Sequence, residues 1–182
     1  MKKTLMTLAA VLCCAVMTTV VTACGDDEGN TKYAADVTPA AEKMDYVLTT
    51  SDEMLKTLNL TIEYYDANGS IQSEQMTQTE WKKSVRAKLP AIHGLRLKMQ
   101  VKNGVDVKSI GTFRAMVNFL ASYDTMNSGD GIVGKGSILS KQFTLDLPGA
   151  SIPDWVEQHA NGIVNMLYTF DMEGKETKGT WQ

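Results

Sequence analysis

Leu95, Leu97, Met99 and Val101 alternate strictly with Arg96, Lys98, Gln100 and Lys102. An apolar period of two fits an extended chain with one face buried and the other in water, and it does not fit a helix. The same spacing recurs along most of the chain. Leu58, Leu60, Ile62 and Tyr64 show it, as do Trp81, Val85, Ala87 and Leu89, with Lys83 out of step. Phe113, Ala115, Val117, Phe119, Ala121 and Tyr123 mark a longer strand, and its other face carries Met116 and Leu120, which predicts a central position. Leu139, Phe143, Leu145 and Leu147 follow, then Val164, Met166, Tyr168, Phe170 and Met172. Turn chemistry separates the runs. Asn68-Gly69 and Asn103-Gly104 supply the positive φ of tight hairpins, and Pro90 removes a ladder donor. Asn127 to Gly136, with four glycines, reads as a loop.

Two short helical turns are expected. Ser51 is placed to cap one, with Asp52 and Glu53 at its positive end and Met54, Leu55 and Leu58 on one side. Asp154–His159 forms the other, between Pro153 and Gly162. Seven to nine antiparallel strands with so little helix predict an all-β fold. An immunoglobulin-like β-sandwich is preferred, with a lipocalin-like β-barrel as the alternative.

The amino terminus has a different character. Lys2 and Lys3 precede an uncharged run from Thr4 to Ala23, and Val21-Thr22-Ala23-Cys24 ends it with a small residue before a cysteine. This is the layout of a secretory signal. Val-Thr-Ala-Cys resembles the lipobox of bacterial lipoproteins. The resemblance implies cleavage before Cys24, lipid on its sulfur and acylation of the new amino terminus, enough chains to hold a bilayer firmly. Gly25-Asp26-Asp27-Glu28 is similar to the export signal of surface-exposed lipoproteins of gut Gram-negative bacteria. That implies an outer-membrane lipoprotein at the cell surface, with the periplasmic face as the alternative. The expected organisation is a signal peptide over 1–23, a lipidated flexible tether over 24–43 and a single β-domain over 44–182.

The expected mature domain folds in an oxidising compartment, yet without thiols. The three cysteines are Cys13, Cys14 and Cys24, so the expected mature domain has no disulfide and must rest on an apolar core. Losing Lys2 and Lys3 with the signal takes the formal net charge from −3 to −5. A mildly acidic chain is not expected to attract nucleic acid.

Motifs for chemistry fail on inspection. Gly129 to Lys135 has P-loop spacing, yet Gly136 stands where a magnesium-binding hydroxyl belongs, and a strand follows where a helix is needed. Asp66, Asn68 and Ser70 begin like a calcium loop, but Thr77 occupies the place of the bidentate glutamate. His93 and His159 are the only histidines, and neither has a second ligand nearby in sequence. No catalytic residue, metal ligand or cofactor is therefore assigned. Asp124-Thr125-Met126 resembles a short bacterial O-glycosylation signal, which makes Thr125 a candidate acceptor. One constellation stands out: Lys82, Lys83, Arg86, Lys88, Arg96, Lys98 and Lys102 lie between Glu80 and Asp106 with no intervening acid. If their strands pair as a hairpin, Lys82, Arg86, Lys88, Arg96, Lys98 and Lys102 share one face. If the chain crosses between sheets at Pro90–Gly94, they point to opposite sides. The expected function is a lipid-anchored, non-enzymatic binding domain for a glycan or another envelope protein. The alternative is a carrier of an apolar ligand, with Met44, Met99, Met116, Met166 and Met172 as an adaptable lining.

Overall fold

A computed structural model describes residues 36–181. The expected signal peptide, Cys24 and the acidic run lie outside these residues. Nine strands form in chain order: β1 Ala41–Thr50, β2 Leu58–Tyr65, β3 Ile71–Gln75, β4 Glu80–Lys88, β5 Ala91–Val101, β6 Thr112–Met126, β7 Ile132–Pro148, β8 Val164–Phe170 and β9 Glu176–Lys178. Two helices accompany them, α1 Asp52–Thr57 and α2 Ile152–Gln158. One sheet has the order β4-β1-β6-β7 and the other β3-β2-β5-β8-β9, and every pairing is antiparallel. The two open sheets pack face to face as a sandwich, so the barrel alternative does not form.

The inner faces are those that the alternation marks. Leu58, Leu60 and Ile62 of β2, Leu95 and Leu97 of β5, and Phe113, Ala115, Val117 and Phe119 of β6 are all buried. Met44, Met99 and Met166 belong to this core, while Met172 is exposed, so the methionines do not line one ligand chamber. β6 lies between β1 and β7, in the central position that its two-sided apolar pattern predicts.

Two boundaries differ from expectation. β1 begins at Ala41, and Ala41 and Glu42 are buried, so the folded domain includes residues that the sequence assigns to the tether. A glutamate at the head of the strand conceals its start. β7 begins at Ile132, inside the glycine-rich segment, and only Asn127–Gly131 forms the turn. Gly136 belongs to the strand because the Tyr123 ring lies across it where a side chain would project. Of the two courses open at Pro90–Gly94, the chain takes the crossing: β4 and β5 lie in different sheets, joined at Leu89–Pro90.

α1 carries the chain from β1 in one sheet to β2 in the other. The Ser51 hydroxyl accepts from the Met54 amide (3.3 Å) and donates to the Arg114 carbonyl of β6 (2.7 Å). One side chain thus caps the helix and ties it to the facing strand. Ser51→Ala is expected to cost about 1–2 kcal/mol in chemical denaturation, since it removes a cap and leaves the Arg114 carbonyl without that donor. A loss under a few tenths of a kcal/mol would show that water replaces both bonds.

α2 packs between β7 and the five-stranded sheet. Trp155 is 6% exposed and stacks against Phe143 of β7 at 6.4 Å and 9°. It meets Phe113 of β6 at 6.0 Å. Beside it, Lys141 points inward from the edge strand and donates to the Ile163 carbonyl at 3.0 Å. An inward charge on an edge strand discourages unwanted strand pairing.

Candidate functional site

The basic strip is not assembled. Lys82, Arg86 and Lys88 point outward from the four-stranded sheet, whereas Arg96 and Lys98 lie on the outer face of the other. Crossing at Pro90 turns the two strands' polar faces to opposite sides of the molecule. Most of the cations are also matched. Lys82 pairs with Glu80 (2.8 Å), Arg86 with Asp130, and Arg96 and Lys98 with Glu63. Burial pushes the Glu63 carboxyl up, but Lys98 and Arg96 together hold it below its ordinary value. Lys102 donates to the Leu55 carbonyl. Among the described residues, Lys88 alone of the six has neither an ion pair nor a side-chain hydrogen bond.

Lys83, the residue out of step, has a specific place. It faces inward at the margin where β4 approaches β3. There the Glu74 carboxylate accepts from Lys83 Nζ (2.8 Å), Tyr64 Oη (2.6 Å) and Trp81 Nε1 (2.8 Å). The bonds from Lys83 and Tyr64 pull the Glu74 carboxyl down to about 2. The ammonium also sits 4.8 Å from the Tyr64 ring centroid. All three donors are satisfied, so this cluster joins the two sheets rather than awaiting a ligand.

Thr125 is also not where an acceptor belongs. It is 5% exposed, within β6, and opposite Glu42 in the β1–β6 register. A buried hydroxyl offers no access to a glycosylation enzyme, which corrects the expectation from Asp124-Thr125-Met126. The aromatic rings available to stack on sugars are occupied as well. Trp155 is in the core and Trp81 is bound to Glu74. Trp181 lies over the outer face of the five-stranded sheet, 4.9 Å from the Tyr65 ring, with the Arg96 guanidinium 4.5 Å from its own.

The sandwich interior holds a group of polar residues that the sequence does not reveal. Glu42 and His93 are both 0% exposed, and neither side chain has a hydrogen-bond partner among the described residues. Burial raises the Glu42 carboxyl to about 7, opposed by the Thr125 hydroxyl and assisted by Glu176 and Asp124. Burial lowers the His93 imidazole to about 4, opposed by the Glu42 backbone carbonyl. In each case burial favours the uncharged form: His93 is neutral at pH 7, and Glu42 keeps its proton well above the ordinary carboxylate range. The Tyr46 hydroxyl is likewise buried without a partner, and burial raises it well above the ordinary phenol range.

On the outer face of the four-stranded sheet, two cross-strand rows run from β1 to β7. One is Val47, Leu120 and Ser140; the other is Thr49, Asn118 and Gln142. They line a shallow depression of about 260 Å³. Leu120 is 43% exposed at its centre. Asn118 Oδ1 is buried there and has no partner among the described residues. An exposed apolar centre among polar groups, with Lys141 at the rim and the Lys82–Glu80 pair on the adjoining strand, has the chemistry of a protein-binding surface. The apolar second face of β6, visible in Met116 and Leu120, is the one sequence signal for it. Searched against known protein families, curated proteins and solved structures, the chain matches none.

Proposed function

We propose that this chain is a lipid-anchored, non-enzymatic interaction domain of the bacterial cell surface, which engages an envelope protein through the outer face of its four-stranded sheet. Lipid on Cys24 and surface display rest on the lipobox-like Val21-Thr22-Ala23-Cys24 and the acids behind it. The observation that carries the binding reading is exposed Leu120 beside the unpartnered Asn118 Oδ1. A partner that covers Leu120 and donates to Asn118 gains apolar burial and satisfies a desolvated acceptor together. An anionic glycan is the weaker reading, because the cations that would hold it are divided between two faces and mostly paired.

The test uses the full chain in its own cells, with a photoactivatable residue at Gln142 or, as control, at Thr169 on the other sheet. Irradiation is expected to give a discrete protein adduct from position 142 and none from 169. Leu120→Lys should remove the adduct while leaving the far-ultraviolet circular dichroism unchanged. Labelled fatty acid should enter the chain and be lost in Cys24→Ala. Equal adducts from both positions, or none from either, would overturn the binding surface. Fatty-acid labelling that survives Cys24→Ala would overturn the anchor.

A further inference from the structure

Glu42 lies beneath the turn that joins β8 to β9. Gly174 in that turn has φ +74°, and a Cβ there would stand 3.1 Å from Glu42 Oε1 and 3.0 Å from Thr125 Cγ2. Only glycine gives both the left-handed backbone and so close an approach. The turn is itself well bonded: Asp171 Oδ1 accepts from the amides of Glu173 and Lys175, each at 2.9 Å. These bonds hold the turn together over the carboxyl.

Burial and two neighbouring carboxylates favour the neutral acid at Glu42, against the Thr125 hydroxyl, which favours the anion. From β6 come the Thr125 hydroxyl and the Asp124 carboxylate, the latter 3.7 Å from Lys135. From β9 comes Glu176, which accepts from the Tyr123 hydroxyl of β6. From β5, the His93 imidazole faces the Glu42 backbone and is itself uncharged near neutrality. On β4 the register partner is Ala87, and its neighbours Arg86 and Lys88 point to the outer face. From the segment before β1, Pro39 packs against the same turn. An anion at Glu42 would thus meet Asp124 and Glu176, with no ion pair of its own among the described residues.

We propose that the Glu42 carboxyl is a protonation switch for the β8–β9 hairpin: the neutral acid lets the turn close over it, and the anion drives the turn and β9 off the sandwich. β9 is the element that yields. It has three register pairs with β8, and all three of its residues are exposed. The segment beyond it is attached through the Gly179 amide to the Leu167 carbonyl (2.8 Å) and through Trp181 Nε1 to the Met166 carbonyl (2.8 Å). Release uncovers the hydrogen-bonding edge of β8 and the buried Leu167, a surface fit to receive another strand.

Amide hydrogen exchange on the full mature chain tests this, with the intrinsic pH dependence of exchange divided out. Opening at Thr177 and Gly179 is expected to increase about tenfold between pH 6 and 8, while the Val117 amide in β6 stays unchanged. E42Q should abolish the increase. A carbon-13 titration of the wild-type Glu42 carboxyl gives a reading that needs no variant, and its midpoint should lie near 7. The proposal is overturned by any of three results. These are equal pH dependence in wild type and E42Q, parallel changes at Val117 and Thr177, or a Glu42 midpoint near its ordinary value of 4.5.

Discussion

Trp155→Ala is expected to lower folding stability by about 3–5 kcal/mol, the range for removing a large aromatic from a core. Trp155, with Ile152, packs α2 into the flank of the sandwich, and its indole lies against Phe113 and Phe143. A helix of seven residues has no stability of its own in water. Loss of the indole therefore opens the flank as well as leaving a cavity. Trp155→Phe separates the contributions. Its ring retains much of the stacking, and it eliminates the Trp155 N–H, which is buried without a partner among the described residues. That gain offsets part of the lost area, so Phe should stay within about 1.5 kcal/mol of the native protein. Urea midpoints for the two variants decide the matter. An alanine variant within 1 kcal/mol of the native protein would mean that α2 is not a structural plug.

The second large effect concerns pH, where two buried groups work against each other. Glu42 has its folded pKa raised from 4.5 to about 7, so its contribution is full below 4.5 and is lost as pH rises through 7. His93 has its folded pKa lowered from 6.5 to about 4, so its contribution is full above 6.5 and is lost as pH falls through 4. Between pH 4.5 and 6.5 the two slopes are opposite, each about 1.4 kcal/mol per pH unit. Their sum in the native protein is close to flat. Each single substitution exposes the other slope. E42Q should gain stability by about 3 kcal/mol from pH 4 to 6.5, and His93→Phe should lose about as much from pH 4.5 to 7, each relative to the native profile. Taking differences from the native protein removes the contributions of other carboxylates, including Glu74. Denaturation midpoints across pH 4–8 measure both, and two variant profiles parallel to the native one would refute the compensation.

The alternation made the sandwich legible because a half-buried strand must repeat every two residues, as in Leu95–Val101 and Phe113–Tyr123. Ser51 and the Asn68-Gly69 turn were equally readable, since each depends on local backbone chemistry alone. The interior polar group was not. Glu42 in sequence looks like any other acid of a polar tether, and the pairing of β1 with β4 and β6 carries it inside. Met44, Tyr46 and Leu48 did carry the period of β1, and the alternation extended back by one step marks Glu42 as inward. Thr125 was misread for a related reason, because Asp124 and the following glycines suggest a loop while β6 continues to Met126. The fate of the basic strip depended on whether the chain turns back or crosses at Pro90. That choice is set by packing far away in sequence, and local chemistry is the same for both.

The three tryptophans occupy three separate quarters of the molecule: Trp81 at the β3–β4 margin, Trp155 under α2, and Trp181 on the outer face over Gly94. Nature has thereby distributed optical reporters where the structure has its joints. A chain retaining one indole at a time, with phenylalanine at the other two sites, would convert ultraviolet emission into a local gauge. Trp81 would follow the cohesion of the sheets, Trp155 the flank, and Trp181 the terminal segment. The order in which their emission shifts on heating or on changing pH would chart which joint loosens first.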